Sequence, residues 1–249
     1  MVKAMDRVGE IGSDDAEFYR SQQITQFSDS IVVSYRVEES SAVFDLLNGI
    51  AFCVIDLVER GFLLRGGVAV GDVLHTRKHL VGPAMVAAYD LESKIANFPR
   101  IILDPQLLKV ARAARKDDHT EDEEEKYVRD FLTEDDDGRF YFDYVSWQSV
   151  VAVVGGKDES YPGYLSKVGK LLEKGLTNER PEVLEKYLWL HSKYVGAIAD
   201  FERLPKDHKY WKQTPGQREA LAKLPKYADQ AKAAQATVHP HLKKKGRKP

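Results

Sequence analysis

The sequence predicts a mixed α/β protein, in which strands and helices alternate through the first hundred residues and helices dominate from residue 164 onward. Three observations support this prediction: an alternation of polar and apolar residues near residue 25, apolar residues at helical spacing over 40–60, and a glycine-rich strand after them. The 249-residue chain is 43% hydrophobic, which is ordinary for a globular core. The order of elements suits an α/β (α+β) sandwich with helices on one face of a sheet.

The first predicted elements are a β-hairpin and a helix. Segments 23–27 and 31–35 are rich in β-branched and aromatic residues, and Ser28 and Asp29 interrupt them, which predicts a hairpin with a carboxylate at its turn. Between residues 40 and 60, apolar residues recur at helical spacing, and Gly61 can end the helix. This pattern predicts a helix that packs on a sheet.

A glycine-rich strand is expected next, over residues 62–75. Its paired glycines, Gly66 and Gly67, allow another backbone or a ligand to approach closely, and Gly71 follows them. A strand resumes at 79–81, and Gly82-Pro83 then opens a second helix that runs to about Asn97. Residues 99–105 are bounded by prolines and predict a closing strand.

We divide the chain into four parts. Residues 1–115 form the α/β core, and the acidic residues 116–138 form a solvated linker or insert, with a metal-binding loop as the alternative. Residues 139–230 contain most of a predicted strand pair, at 138–145 and 150–154, and a helical extension that is predicted to be an antiparallel helix pair. Residues 231–249 form a basic tail, which we expect to be disordered or to contact nucleic acid weakly.

Composition excludes several classes of protein. The net charge of −2 gives no overall attraction to nucleic acid or to anionic membranes. The single cysteine, Cys53, excludes an intrachain disulfide framework and a cysteine-based zinc cluster, and its apolar neighbours predict a small buried side chain. No apolar run resembles a signal peptide or a membrane span. We therefore expect a cytoplasmic protein that does not insert into membranes.

Four polar side chains are candidates for chemistry. Asp29 at the hairpin turn can bind a metal ion or can satisfy backbone donors of the turn. Arg65 and Arg100 carry guanidinium groups suited to phosphate oxygens, although Arg65 is equally suited to a structural ion pair at the end of its strand. Glu92 is a candidate partner for either arginine. His75 can act as an acid or base or contact phosphate, or it can be an ordinary histidine near a strand end.

The order of these motifs resembles that of class III nucleotidyl cyclases. The resemblance covers residues 23 to about 103 and rests on Phe27-Ser28-Asp29-Ser30, Arg65-Gly66-Gly67, Val81-Gly82-Pro83-Ala84 and the Leu91-Glu92 pair on the second helix. The chain is still more similar to a group of uncharacterised bacterial cyclase-like proteins with an Arg-Gly-Gly strand and a Pro-Arg-Ile segment, matched here by Pro99 to Ile101.

The resemblance implies a ferredoxin-like, palm-type core that works as a homodimer and binds a nucleoside triphosphate between the subunits. It implies conversion of that nucleotide to a cyclic nucleotide and pyrophosphate with Mg²⁺ or Mn²⁺, in which Asp29 is a metal ligand. Arg65 and His75 are then catalytic candidates, and the residues expected to contact the nucleotide are Gly66, Gly67, Gly71 and Arg100. Related pyrimidine cyclases serve bacterial antiphage signalling, which suggests a signalling or defence role by analogy.

The sequence also departs from the family pattern. The family's first strand, which carries its first metal-binding Asp, is expected ahead of Met1, and neither Asp14 nor Asp15 is a convincing replacement. Val86 and Asp90 occupy the positions of the transition-state Asn and Arg, and Thr25 occupies that of the purine-selecting Lys. A purine preference therefore does not carry over.

Three functions follow from these observations. The leading one is a nucleotidyl-cyclase-like protein that binds a nucleoside triphosphate with a divalent metal and forms a cyclic nucleotide. The alternative is a non-catalytic interaction or regulatory module with the cyclase fold, which the substitutions at Val86 and Asp90 favour. The third is weak nucleic-acid binding through Lys243 to Lys248, which would depend steeply on salt concentration.

Overall fold

The computed structural model of this protein describes residues 21–155 and 160–244. The chain divides into two units, one formed by Met1–Arg60 and Leu64–Asp143 and the other by Gly61–Leu63 and Tyr144–Pro249. Asp14 and Asp15 lie outside the described residues.

The strands of the first unit form three small sheets. In chain order, the strands are β1 (Gln23–Phe27), β2 (Ser30–Ser34), β3 (Gly66–Val68), β4 (Leu74–His75), β5 (Leu80–Val81), β6 (Ile101–Leu103), β7 (Thr133–Glu134) and β8 (Phe140–Tyr141). β1 and β2 form an antiparallel hairpin, and β4 and β5 form a second antiparallel pair. The other four strands form a sheet in the order β3-β6-β8-β7. β3 and β6 are parallel, whereas β8 runs antiparallel to both β6 and β7.

Four α-helices complete the described part of the first unit: α1 (Ala42–Glu59), α2 (Pro83–Asp90), α3 (Gln106–Ala113) and α4 (Glu121–Arg129). α2 continues directly into a π-helical turn, Leu91–Ile95, and packs on β3. The segment from β3 through α2 to β6 therefore connects two parallel neighbouring strands by way of a helix.

The core of the first unit lies around α1. Its residues Leu47, Ala51, Val54 and Val58 follow one another at helical spacing, and each is at most 2% exposed. α1 packs against α3 and α4, which also pack against each other. Burial of this apolar stripe explains why the sequence predicted α1 closely.

Several predicted elements of the first unit are confirmed. The hairpin has the expected strands, α1 covers most of 40–60, and α2 begins at Pro83 after Gly82. The strand expected over 62–75 is much shorter, because only Gly66–Val68 and Leu74–His75 pair with neighbours. The structure is a mixed α/β arrangement, and the finer ferredoxin-like core remains a prediction.

The acidic segment 116–138, expected as a linker or insert, contains helix α4 and strand β7. Thr120 and Glu123 form a capping box at the start of α4. The Thr120 hydroxyl accepts a hydrogen bond from the backbone N–H of Glu123, and the Glu123 carboxylate accepts one from the backbone N–H of Thr120. Two acidic residues of this segment, Glu124 and Asp135, are buried. Asp135 pairs with Arg100, which is 35 residues earlier, and Glu124 accepts a hydrogen bond from Ser41, which is 83 residues earlier.

The described part of the second unit consists of helices. A π-helical segment, Gln148–Val153, precedes five α-helices: α5 (Tyr161–Gly175), α6 (Pro181–Arg203), α7 (Lys209–Gln213), α8 (Gln217–Ala222) and α9 (Ala228–Lys244). α6 packs against α5, α8 and α9. Pro181 opens α6 at the position that the sequence indicated.

Two expectations for this unit are not met. Residues 150–154, read as a strand, lie in and directly after the π-helical segment, because a short apolar run has no periodicity that separates a buried strand from a buried helix. Residues 231–244, expected within a disordered tail, belong to α9, whose Ala231, Ala234 and Val238 are buried at helical spacing. Across 21–155 and 160–244, helices long and apolar enough to cross a membrane are absent.

Candidate functional site

Asp29 lies at the exposed tip of the β1–β2 hairpin. Phe27 pairs with Ser30, so Ser28 and Asp29 form a two-residue loop, and Ser28 adopts a left-handed backbone conformation with φ of 56°. Within the described residues, the Asp29 carboxylate has no hydrogen-bond or ion-pair partner. The alternative in which it satisfies backbone donors of the turn is therefore not what the structure shows.

His75 lies against the same hairpin. Its Nε2 is 2.8 Å from Thr25 Oγ1 on β1, and its Nδ1 is 2.8 Å from Ser34 Oγ on β2. Thr25 pairs with Val32, and Ser34 lies two residues beyond Val32, so both hydroxyls are on one face of the hairpin. Burial lowers the pKa of His75, which favours the neutral imidazole.

Both glycines of β3, Gly66 and Gly67, lie close to other segments of the same chain. A Cβ atom on Gly67 would lie 2.5 Å from Leu91 Cβ and 2.6 Å from the Ala88 carbonyl oxygen, so the end of α2 occupies the space beside this glycine. A Cβ on Gly66 would lie 3.3 Å from the Ile101 side chain of the neighbouring strand. At Gly67, the close approach that the sequence predicted is therefore an approach by a helix.

Gly71 and Gly82 bring the start of α2 close to the segment that follows β3. A Cβ on Gly82 would lie 2.5 Å from the Asp72 carbonyl oxygen, and Gly82 has φ of 149°. A Cβ on Gly71 would be in ordinary contact with Ala84, at 3.5 Å. These glycines allow backbone segments of the same chain to pack closely.

Arg65 forms an ion pair with Glu92. Its Nε is 2.6 Å and its Nη2 is 2.5 Å from Glu92 Oε1, and both side chains are about one-third exposed. This is the structural ion pair that the sequence analysis left open beside phosphate binding. A phosphate group at Arg65 would have to compete with the Glu92 carboxylate.

Arg100 is fully buried, and two carboxylates neutralise it. Its Nη1 donates hydrogen bonds to Asp135 at 2.5 Å and to Asp137 at 3.0 Å, and its Nη2 also donates to Asp137. The guanidinium lies 5.3 Å from the ring centre of Phe98. Since 1% of the Arg100 side chain is exposed, the expected contact with a nucleotide phosphate has no surface on which to form.

Sequence reasoning missed a second buried carboxylate. Glu124 is 1% exposed, and its carboxylate accepts a hydrogen bond from Ser41 Oγ at 2.9 Å and lies 2.7 Å from His119 Nδ1. Glu124 precedes the buried Val128 by four residues, so helical spacing within the acidic run was a signal for its burial. Since each oxygen of this buried carboxylate has a side-chain partner, Ser41 or His119, we interpret the cluster as structural.

The residues that the structure describes contain no group of three or more His, Cys, Asp or Glu side chains placed to hold a metal ion. Asp29 therefore supplies a single carboxylate. Mg²⁺ is commonly held by one or two carboxylates together with substrate phosphates and water, so one exposed aspartate suits a metal that arrives with a nucleotide.

The second unit has an open cleft of about 560 Å³ between α5 and the start of α9. Its lining includes Lys170, Glu173, Tyr227 and Asp229, so it carries charges of both signs. None of the residues singled out by the sequence lies there.

Comparisons with protein-family models, with curated proteins and with solved structures found no match to this chain.

Proposed function

We propose that the first unit is a nucleotidyl-cyclase-like module that binds a nucleoside triphosphate together with Mg²⁺ or Mn²⁺, and that Asp29 is its metal ligand. The observation that carries this proposal is the exposed Asp29 carboxylate, which has no partner among the described residues and lies at the tip of a hairpin that His75 contacts on both strands. The order of motifs from the hairpin to Pro99-Arg100-Ile101 supports it.

The proposed reaction is intramolecular. The 3′-hydroxyl oxygen of the nucleotide attacks the α-phosphorus, the bond from that phosphorus to the bridging oxygen of the β-phosphate breaks, and pyrophosphate leaves. The hydroxyl proton passes to solvent. The bound metal ion supplies charge neutralisation on the phosphates and lowers the pKa of the attacking hydroxyl. Asp29 would orient the metal, and the phosphates would complete its coordination.

The test is a titration of each of the four common nucleoside triphosphates, with Mn²⁺ present, into wild-type protein and the Asp29→Asn variant. Loss of a charged ligand of this kind costs roughly 1.5–3 kcal/mol, so we expect affinity to fall roughly 10- to 150-fold. Asp117→Asn is the matched control, since Asp117 is an exposed aspartate of the same unit outside the hairpin. Binding that is equally strong in wild type and Asp29→Asn contradicts the proposal.

A non-catalytic interaction or regulatory module is the second candidate. The ion pairs of Arg65 and Arg100 favour this candidate. Both arginines were expected to bind phosphate, but Arg65 is paired with Glu92, and Arg100 is paired with Asp135 and Asp137. This candidate predicts no cyclic product from any of the four nucleotides with either metal. Product formation that is lost in Asp29→Asn eliminates it.

We also propose that the first unit forms the homodimer that the resemblance implies. α2 has no buried residue, and its Val86 and Tyr89 are 61% and 58% exposed. The cross-strand pair Leu74 and Val81 is 56% and 61% exposed. Exposed apolar side chains of this size suit an interface with a second copy. Light scattering of wild type and Val86→Glu tests this, and a monomeric wild-type protein contradicts it.

A further inference from the structure

The β1–β2 hairpin depends on contacts outside its own ladder. In the described part of the chain it forms a two-stranded sheet of its own. An isolated two-stranded hairpin is at best marginally stable in water. Its apolar residues Ile24, Ile31, Val32 and Val33 are only partly buried. A side chain that joins both strands to a residue far along the chain therefore has a large effect on where the hairpin tip lies.

His75 is such a side chain. It lies 50 residues after Thr25 and 41 after Ser34, and it contacts both hydroxyls at 2.8 Å. A neutral imidazole has one N–H donor and one acceptor nitrogen, so one hydroxyl accepts a hydrogen bond from the ring while the other donates one to it. His75 itself belongs to β4, where it pairs with Leu80 of β5. The ring thus connects two separate two-stranded sheets.

The position of His75 relative to Asp29 distinguishes anchoring from catalysis. Thr25 is the middle residue of β1 and Ser34 is the last residue of β2, whereas Asp29 lies in the turn, four residues from Thr25 and five from Ser34. Both ring nitrogens are already in contact with hydroxyl groups. The imidazole is therefore placed to hold the hairpin rather than to accept a proton at the tip.

We infer that His75 is a positioning residue, which anchors the β1–β2 hairpin to β4 and thereby holds the Asp29 carboxylate where it binds the metal–nucleotide complex. This inference rests on the function proposed above. It changes the role of His75 from the acid, base or phosphate contact that the sequence suggested to that of an anchor.

The experiment has two readouts, so that failure of the anchor and failure of the metal site are distinguishable. The first is amide hydrogen exchange of residues 23–34 in nucleotide-free protein, with α1 as the internal reference. The second is the dissociation constant for the nucleotide that wild type binds most tightly with Mn²⁺. We expect His75→Ala to accelerate hairpin exchange about tenfold, because two hydrogen bonds are lost, while α1 is unchanged. We expect it to weaken nucleotide binding about fivefold or more.

Variants of the partner hydroxyls keep the test informative if His75→Ala folds poorly. Thr25→Val and Ser34→Ala each remove one hydroxyl, and His75→Gln retains a polar atom near the position of Nε2. We expect Thr25→Val and Ser34→Ala each to accelerate hairpin exchange by a smaller factor. We also expect Thr25→Val to add nothing in the His75→Ala background, because interacting side chains are not additive. His79→Ala is the matched control, since His79 is exposed on the loop between β4 and β5.

Each outcome decides one of the two ideas. If hairpin exchange is unchanged in His75→Ala, the inference is overturned. It is also overturned if His75→Ala accelerates hairpin exchange but leaves nucleotide binding at full strength, while Asp29→Asn weakens that binding. Faster hairpin exchange together with weaker binding, and partial recovery in His75→Gln, supports it. If Asp29→Asn leaves binding unchanged, the proposed metal site is wrong, the positioning role falls with it, and hairpin exchange reports only whether His75 anchors the strands.

Discussion

Arg100 donates a hydrogen bond to Asp135, and the two side chains are 1% and 3% exposed, so the pair lies in the interior of the first unit. Such a pair contributes little net stability relative to an apolar replacement of both members, but removing one member takes the opposite charge away from the buried member that remains. Replacing one member of the pair is therefore expected to be more destabilising than replacing both.

We predict that Arg100→Met destabilises the first unit by about 3–5 kcal/mol, because the buried Asp135 carboxylate loses the positive charge that Arg100 places beside it. Urea unfolding followed by circular dichroism measures the change. Arg65→Met is the matched control: its pair with Glu92 is about one-third exposed, and we expect a loss of about 1 kcal/mol or less. Equal effects of the two substitutions would contradict the interpretation of Arg100 as a buried structural cation.

The difference between these arginines also shows what the sequence could predict. The hairpin, α1 and the start of α2 were predictable because their signals are local: a polar turn, apolar residues at helical spacing and a Gly-Pro pair. The role of Arg100 was not, since its partners are 35 and 37 residues away. They lie in the segment Asp135-Asp136-Asp137, whose composition indicates solvent exposure and which has no periodicity that marks Asp135 as the buried member.

The candidate site was also predictable from sequence only where the signal is local. Asp29 was placed at the hairpin turn from sequence alone, and the structure places it there. The contacts of His75 with Thr25 and Ser34 depend on how β4 approaches the hairpin, which no local pattern specifies. The close approach at Gly67 was expected, but a single sequence does not say whether a ligand or a helix makes it.

The second prediction concerns Asp45 on α1. Burial raises the pKa of this carboxyl to about 6, opposed by the charge of Lys116. The pKa of this carboxyl is therefore higher in the folded protein than in the unfolded chain. Protonated Asp45 stabilises the folded state at low pH, and this contribution to the free energy of unfolding is lost as pH rises through about 6. We predict that Asp45→Asn stabilises the first unit by about 1 kcal/mol at pH 7, allowing for the partly solvated carboxyl.

The same substitution is expected to have almost no effect near pH 4, where the folded-state carboxyl of wild type is already protonated. Urea unfolding of both proteins at a series of pH values from 4 to 8 measures this difference. A stabilisation that is the same at every pH would show that ionisation of Asp45 is not its source.

The third prediction concerns Gly67. Alanine at this position would place a methyl group 2.6 Å from the Ala88 carbonyl oxygen, and backbone atoms cannot move aside easily. We predict that Gly67→Ala destabilises the protein by about 1–3 kcal/mol, as expected for overpacking. Thermal unfolding measures the loss.

Gly196→Ala is the control for this substitution. Gly196 lies within α6 with nothing within 4 Å of an added Cβ, so alanine there is expected to stabilise the helix by about 0.5–1 kcal/mol. If Gly67→Ala is also stabilising, the packing of α2 against β3 is looser than the structure shows.

The final prediction concerns Glu124, which joins Ser41 of the α1 N-terminus to His119. Removal of its carboxylate by Glu124→Ala takes a hydrogen-bond partner from the buried Ser41 hydroxyl and from His119, whose side chain is 24% exposed, and we predict a loss of about 2–4 kcal/mol in the free energy of unfolding. Glu124→Gln keeps an oxygen that can accept from Ser41 and an amide that can donate to His119 Nδ1, so its loss is expected to be about 1 kcal/mol. Urea unfolding at pH 7.5 compares the two variants. An equal loss in both would mean that the negative charge of Glu124, rather than its hydrogen bonds, stabilises the junction of α1 and α4.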